Sequence, residues 1–156
     1  MNSAAQNTEN GPASDSFVKR TCEELEERGV AFELLEHKNV DGTRSRDVVE
    51  ALNVPLQNAL KALVLKSKKG KYVAAIVRGD QQVDFRKIEV LTDTKKIHLA
   101  SPKDVTKVSG GFRVGGVPAF VLVQLSSVPA FVDPRVFSLQ FAVTSAGSPF
   151  AGIKFD

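Results

Sequence analysis

The chain has 156 residues, 42% hydrophobic and 25% charged, with a formal net charge of +3. That is the size and composition of one ordinary soluble domain with a real core. No apolar run approaches the ~20 residues of a membrane span, so no membrane partner is expected. The mild positive charge permits an anionic partner without demanding one.

Residues 1–16, MNSAAQNTENGPASDS, contain no Lys, Arg or apolar run. They fit neither a secretory signal nor a basic transit peptide, and read as a disordered polar tail ahead of a domain over 17–156. The single cysteine, Cys22, excludes an internal disulfide and a Cys-based zinc site. A reduced, cytoplasmic setting is the simplest reading.

In chain order, a helix is expected from near Ser16, with Phe17, Cys22 and Leu25 as its apolar stripe and Gly29 as its stop. VAFELLEH, from Val30 to His37, reads as a strand. Ser45 is expected to cap a short helix carrying Val48, Val49 and Leu52, closed by Asn53 and Pro55. ALKALVL and YVAAIV, joined by KSKKGK, read as a β-hairpin. FRKIEVL reads as a helix and KKIHLA as a strand. Ser101 with Asp104 resembles a capping box, which predicts a helix over SPKDVTKV. After the glycine-dense GGFRVGG, the runs PAFVLVQL, PAFVDP and FSLQFAV all read as β-rich. TSAGSPFAGIKFD is a glycine-broken segment ending in a strand. Helices and strands interleave irregularly, which predicts an α+β fold: a single compact domain with a mixed, mostly antiparallel curved sheet flanked by helices.

Three constellations have chemical potential. In the strand that begins after Asn58, alternation puts Leu60, Ala62 and Val64 on one face and Ala59, Lys61, Leu63 and Leu65 on the other. A lysine on an apolar face either meets an anion, such as phosphate or carboxylate, or snorkels from a strand end. The loop from Gly110 to Gly116 carries Gly110, Gly111, Gly115 and Gly116. It either brings backbone N–H groups to a ligand or simply links a helix to a strand. It is neither a Walker A loop nor a dinucleotide fingerprint. Lys66, Lys68, Lys69 and Lys71 form a basic hairpin tip, which either touches a nucleic-acid backbone or is a solvated turn. Arg44 and Arg46 make a second basic loop of the same kind. There is no G-x-S-x-G elbow, no H-E-x-x-H, and no triad signature around His37 or His98. Cys22 lies on the helix's apolar stripe and reads as core. A hydrolase of this composition relies on positioning, backbone donors and the substrate's own groups.

Taken together and in order, these pieces resemble the YbaK/prolyl-tRNA synthetase-associated editing domain, from Phe17 to the C-terminus. The lysine strand ALKALVL, the block YVAAIVRGDQQVDFRKIEVL, the segment KIHLASPKDVTKVSGGFRVGGVP, then FVDPRVF and TSAG carry the similarity. The resemblance implies a deacylase that hydrolyses mischarged aminoacyl-tRNA in trans, often alanine or cysteine on proline tRNA, with no metal and no cofactor. It implies the aminoacylated 3′ end of tRNA as partner, with Lys61 as the functional lysine. The substrate pocket it implies involves Gly110, Gly111, Gly115, Gly116, Val117, Pro118 and Val121, with Ala146 and Gly147 from the late turn. Ala119 and Val121 stand where the family usually has proline and glycine, so a side chain is expected to intrude on the pocket at Val121. The histidine of some synthetase-embedded editing domains has no counterpart in AGSPFAGIKF. The alternative is a non-catalytic relative that binds tRNA or docks on an aminoacyl-tRNA synthetase or synthetase complex.

Overall fold

The computed structural model describes residues 12–37 and 39–156. Most of the predicted tail, residues 1–11, lies outside the described residues. Helix α1 spans Pro12–Glu27 and so begins ahead of Ser16. Gly29, at φ +68°, supplies the left-handed turn that ends it, with Gly29 N–H donating to Glu26 O and Val30 N–H to Leu25 O. Leu25 is buried as expected, but Thr21, not Cys22, is the residue packed fully inward. The Thr21 hydroxyl donates to Phe17 O at 2.8 Å, which satisfies it without water.

Strand β1 (Glu33–Glu36) leads to α2 (Ser45–Leu52). Ser45 is the first helical residue and not the cap; Arg44 occupies the cap position without a side-chain bond. Asn53, at φ 53°, ends α2 in the left-handed conformation that asparagine tolerates. A 3-10 turn at Leu56–Asn58 feeds β2 (Leu60–Lys66), which pairs antiparallel with β3 (Tyr72–Arg78) from Leu60↔Arg78 to Lys66↔Tyr72. Asp84 caps α3 (Phe85–Thr92) by accepting Lys87 N–H. After β4 (His98–Leu99), Ser101 caps α4 (Pro102–Ser109) by accepting Asp104 N–H, and Gly110 closes it at φ +81°.

Helix α5 (Ala119–Val123), strand β5 (Ala130–Val132), a 3-10 turn at Pro134–Ser138, β6 (Ala142–Ser148) and β7 (Ala151–Phe155) complete the chain. PAFVLVQL is therefore helical where a strand was expected. Pro118 sets the entry at φ −65°, Ala119 N–H donates to Thr144 Oγ1 at 2.9 Å, and Leu122 is fully buried against the sheet. Those tertiary partners override the β-branched composition. Phe137 falls in the 3-10 turn and not in a strand. TSAG is not a turn but the middle of β6; the reversal falls at Pro149–Phe150, and the β6–β7 register shifts between Ser145 and Ser148.

The strands form two sheets, ordered β1-β7-β6 and β4-β2-β3-β5, joined by a parallel bridge between Ala59 and Val143. All other pairings are antiparallel except β3 with β5, as expected of a mixed, mostly antiparallel α+β domain. The four-stranded sheet is covered on both faces. Val64, Ala74 and Ile76 pack with Phe112, Val117 and Leu122 on one side. Leu65, Val73 and Ala75 pack with Ile88 and Ile97 on the other. Leu25, Ala146 and Ile153 form a third cluster under α1. Burial of such side chains contributes about 1.5–3 kcal/mol each before entropy is counted.

Candidate functional site

The two sheets diverge beyond the Ala59–Val143 bridge, and β4 covers β2 only at Leu65 and Lys66. The gap is a cleft of about 260 Å³. Its floor is β2 from Leu60 to Val64, and its walls are Gly42, Thr43, Leu99, Val105, Val114, Gly115, Val117 and Ser145. The lining is mostly apolar, with Lys61 as its cation.

Lys61 lies on the same face as Leu63 and Leu65, as alternation requires. Its Nζ donates to the backbone carbonyl of Gln81 at 2.7 Å. Among the described residues it forms no ion pair, so its charge is oriented but not neutralised. Gln81 is itself held: its N–H donates to Arg78 O, and its Oε1 accepts from Arg135 Nη1 at 3.0 Å. Arg135 chelates Asp133 at 2.9 and 2.6 Å, and Arg78 chelates Asp80 at 3.0 and 2.7 Å. The Arg135 side chain and its N–H hold the Asp133 carboxyl well below the usual range. Lys61 also borders a second groove of about 570 Å³, with Leu63, Gln82, Phe85, Arg86 and Leu99.

The rim is built from glycines in contact. A Cβ on Gly42 would lie 2.6 Å from Gly115 O and 2.8 Å from Pro149 O. One on Gly115, at φ +80°, would lie 2.9 Å from Thr43 N. The Ser145 hydroxyl donates to Gly115 O and ties β6 to the same loop. Loop 42–43, loop 114–116 and the β6–β7 turn therefore close on one another only because these positions have no side chain.

Of the residues expected at the site, Lys61, Gly115 and Val117 line the cleft, and Gly116 is buried just behind them, packed on Pro149. The others lie elsewhere for specific reasons. Gly110 ends α4, and Gly111 (φ +110°) packs on the Phe17 ring. Pro118 is buried and starts α5. Val121, on α5, packs into the core beneath the sheet and does not intrude on the cleft. Ala146 and Gly147 sit under α1, where a Cβ on Gly147 would lie 2.8 Å from Phe17 O. In the basic hairpin, Lys66 Nζ pairs with Asp104 at 2.9 Å, and Tyr72 Oη donates to the same carboxylate at 2.6 Å. Tyr72 and Lys66 hold Asp104 far below its ordinary value, and Asp104 raises Lys66. Lys68, Lys69 and Lys71 are exposed at the tip.

Gly42, Thr43 and Val105 were not foreseen. Glycine in the polar run DGTRSRD was the available signal for the first; the others join the cleft only through long-range packing.

Residues 37–151 match the family model of the aminoacyl-tRNA editing domain. The chain belongs to that family. A proline–tRNA ligase of Anaeromyxobacter sp. (strain Fw109-5) is 33% identical over 103 residues, covering 63% of this chain and 17% of the ligase. The editing domain here thus spans a small part of the ligases it matches. EbsC of Enterococcus faecalis, a candidate Cys-tRNA(Pro)/Cys-tRNA(Cys) deacylase, is 25% identical over 107 residues, covering 69% of this chain and 63% of EbsC. A crystal structure of a candidate trans-editing enzyme for prolyl tRNA synthetase superposes with a TM-score of 0.71 at 24% identity, covering 88% of this chain and 85% of that one. That likeness establishes the editing-domain fold. Among the described residues, no helix is long and apolar enough to cross a membrane.

Proposed function

We propose that this editing domain hydrolyses, in trans, the ester that joins a wrong amino acid to tRNA, with alanine or cysteine on proline tRNA as its preferred substrates. The observation that carries the reading is Lys61: an oriented ammonium with only a neutral carbonyl partner, at the border of a small apolar cleft. A cation fixed there attracts the polyanionic 3′ end and stabilises charge that develops beside it, more strongly than in water. Ala62, Val64, Val105 and Val117 leave room for a small side chain. The second groove, with Phe85, Leu99 and Arg86, offers an apolar shelf and a cation to the terminal nucleotide. With no histidine on the cleft wall, a hydroxyl of the terminal ribose would help to orient the attacking water.

The reading is tested by a deacylation panel of Ala-, Cys-, Ser- and Thr-charged proline tRNA, with wild-type protein and Lys61→Ala. Faster release of alanine or cysteine, lost with Lys61, supports it. The competing reading is a module that binds tRNA or a synthetase assembly without hydrolysis. It draws on the Pro118–Val121 run, which forms a helix packed into the core instead of lining the cleft. Equal, background rates for all four substrates with retained tRNA binding would establish that alternative. Activity in the cytoplasm and a synthetase as docking partner belong to the same proposal.

A further inference from the structure

Among the described residues, part of the cleft floor is a sheet edge that no strand covers. In β2 the odd-numbered residues face β3, as Gly79 N–H donating to Ala59 O at 2.6 Å and Ser67 N–H donating to Lys71 O at 2.8 Å establish. The even-numbered residues therefore turn their N–H and C=O groups away from β3. Ala100 N–H takes the Val64 carbonyl at 2.9 Å, and β4 pairs with Leu65 and Lys66. On the other side, β6 bridges only to Ala59. Between these two contacts no strand among the described residues pairs with the Ala62 N–H, the Ala62 C=O or the Val64 N–H, and all three lie on residues that line the cleft. Unpaired backbone groups in the middle of a sheet are rare, and a ligand is one way to satisfy them.

We infer that the aminoacyl group docks as a one-residue strand against Ala62. This rests on the hydrolytic reading above and specifies how that cleft recognises its substrate. An aminoacyl ester carries the polar groups of a strand residue: an ammonium that donates and a carbonyl that accepts. In a hydrogen-bonded antiparallel pair with Ala62, the α-ammonium donates to Ala62 O, and Ala62 N–H donates to the ester carbonyl. The same N–H then faces the negative charge that forms on that oxygen during hydrolysis. Directly paired residues place their side chains on one face of the sheet. The substrate's side chain thus falls beside Ala62, between Leu60 and Val64, facing Val105 and Val117. Lys61 and Leu63 lie on the opposite face, toward the groove that borders Phe85 and Leu99. The edge reads the backbone of the amino acid, and the walls read its side chain.

The test uses the full chain and a non-hydrolysable probe, 3′-deoxy-3′-(L-alanylamino)adenosine, with its lactoyl counterpart, in which hydroxyl replaces the α-ammonium. Without probe, the Ala62 and Val64 amides exchange with solvent quickly for residues at the centre of the domain. Saturating alanyl probe should slow Ala62 exchange at least tenfold, and the lactoyl probe should bind at least tenfold more weakly, as loss of a charge-assisted bond requires. Ala62→Pro deletes the outward N–H while leaving the β3 ladder bonds intact, a substitution tolerated where the N–H side is uncovered; it should abolish binding. If this variant fails to fold, the wild-type exchange data decide. Protection around Lys61 without protection at Ala62, or equal affinity for the two probes, overturns the docking mode while leaving the hydrolytic reading in place. Absence of binding by either probe, together with no deacylation in the charged-tRNA panel, overturns both.

Discussion

Lys61 and Lys66 stand at opposite ends of β2 and differ in what their ammonium groups meet. Lys66 faces a carboxylate: Asp104 at 2.9 Å, itself shared with Tyr72. Lys61 faces a backbone carbonyl at 2.7 Å and, among the described residues, forms no ion pair. An ion pair cancels most of a cation's field, whereas a carbonyl aims the ammonium and leaves its charge in place. On sequence alone Lys61 stood out as a lysine on an apolar strand face, and Lys66 read as one of four basic residues of the hairpin tip. The fold ties Lys66 to Asp104 of α4 and gives Lys61 the Gln81 carbonyl as its partner; on the proposed function Lys61 then meets an incoming anion.

Removing each charge in turn separates these roles. Lys61→Ala should lower deacylation by about 100-fold, the usual scale for losing one electrostatic contact to a developing charge. The melting temperature should hardly move, because no buried carboxylate loses its partner. Lys66→Ala should do the reverse, with near wild-type hydrolysis and a lower melting temperature. An activity loss from Lys66→Ala equal to that from Lys61→Ala would erase the distinction.

Next in size is the glycine rim of the cleft. Gly42→Ala places a methyl group 2.6 Å from Gly115 O, closer than real Cβ contacts come. The two loops must separate, at a cost of about 1–3 kcal/mol typical of overpacking, measurable by urea unfolding. Val121→Gly is expected to destabilise through lost packing and glycine in α5, without admitting bulkier substrates, because Val121 faces the core. Faster removal of a larger amino acid by this variant would show that the cleft extends to α5.

The Asp104 side of the comparison has a pH signature. Tyr72 and Lys66 depress the folded-state value of Asp104 below the ordinary carboxylate value of about 3.9. A depressed carboxyl stabilises the fold above its unfolded value and loses that contribution as pH falls through the folded one. Wild-type melting temperature should therefore drop below about pH 4 more steeply than that of Asp104→Asn. Parallel pH profiles would mean that this cluster contributes nothing.

Local chemistry made much of this legible. The β2–β3 hairpin, the Ser101 cap of α4, the Gly29 stop and the Asn53 end of α2 each depend on residues close together in sequence. The face of Lys61 followed from alternation alone. What was not legible depends on distance. Nothing local distinguishes PAFVLVQL from a strand; Thr144 and the covered sheet make it α5. Nothing in DGTRSRD announces that Gly42 touches Gly115 and Pro149. Nor does ALKALVL reveal that its edge at Ala62 is left open, since that depends on where β4 and β6 stop.

The smallest expected effect concerns the hairpin tip, where Lys68, Lys69 and Lys71 are exposed and Lys66 is already paired. If the tip meets the tRNA backbone, each released counterion contributes to the salt dependence of binding. Lys68→Ala with Lys69→Ala should then weaken all tRNAs alike and reduce the slope of log K against log salt by about 1.4–1.8, two contacts' worth. Hydrolysis at saturating tRNA should stay near wild type, because the tip does not border the cleft. Lys66→Ala should leave the slope nearly unchanged, since its charge is already offset by Asp104. A slope that responds to Lys66 and not to Lys68 and Lys69 would move the nucleic-acid contact from the tip to the α4 side of the hairpin and place Lys66 with Lys61 among the cations available to tRNA.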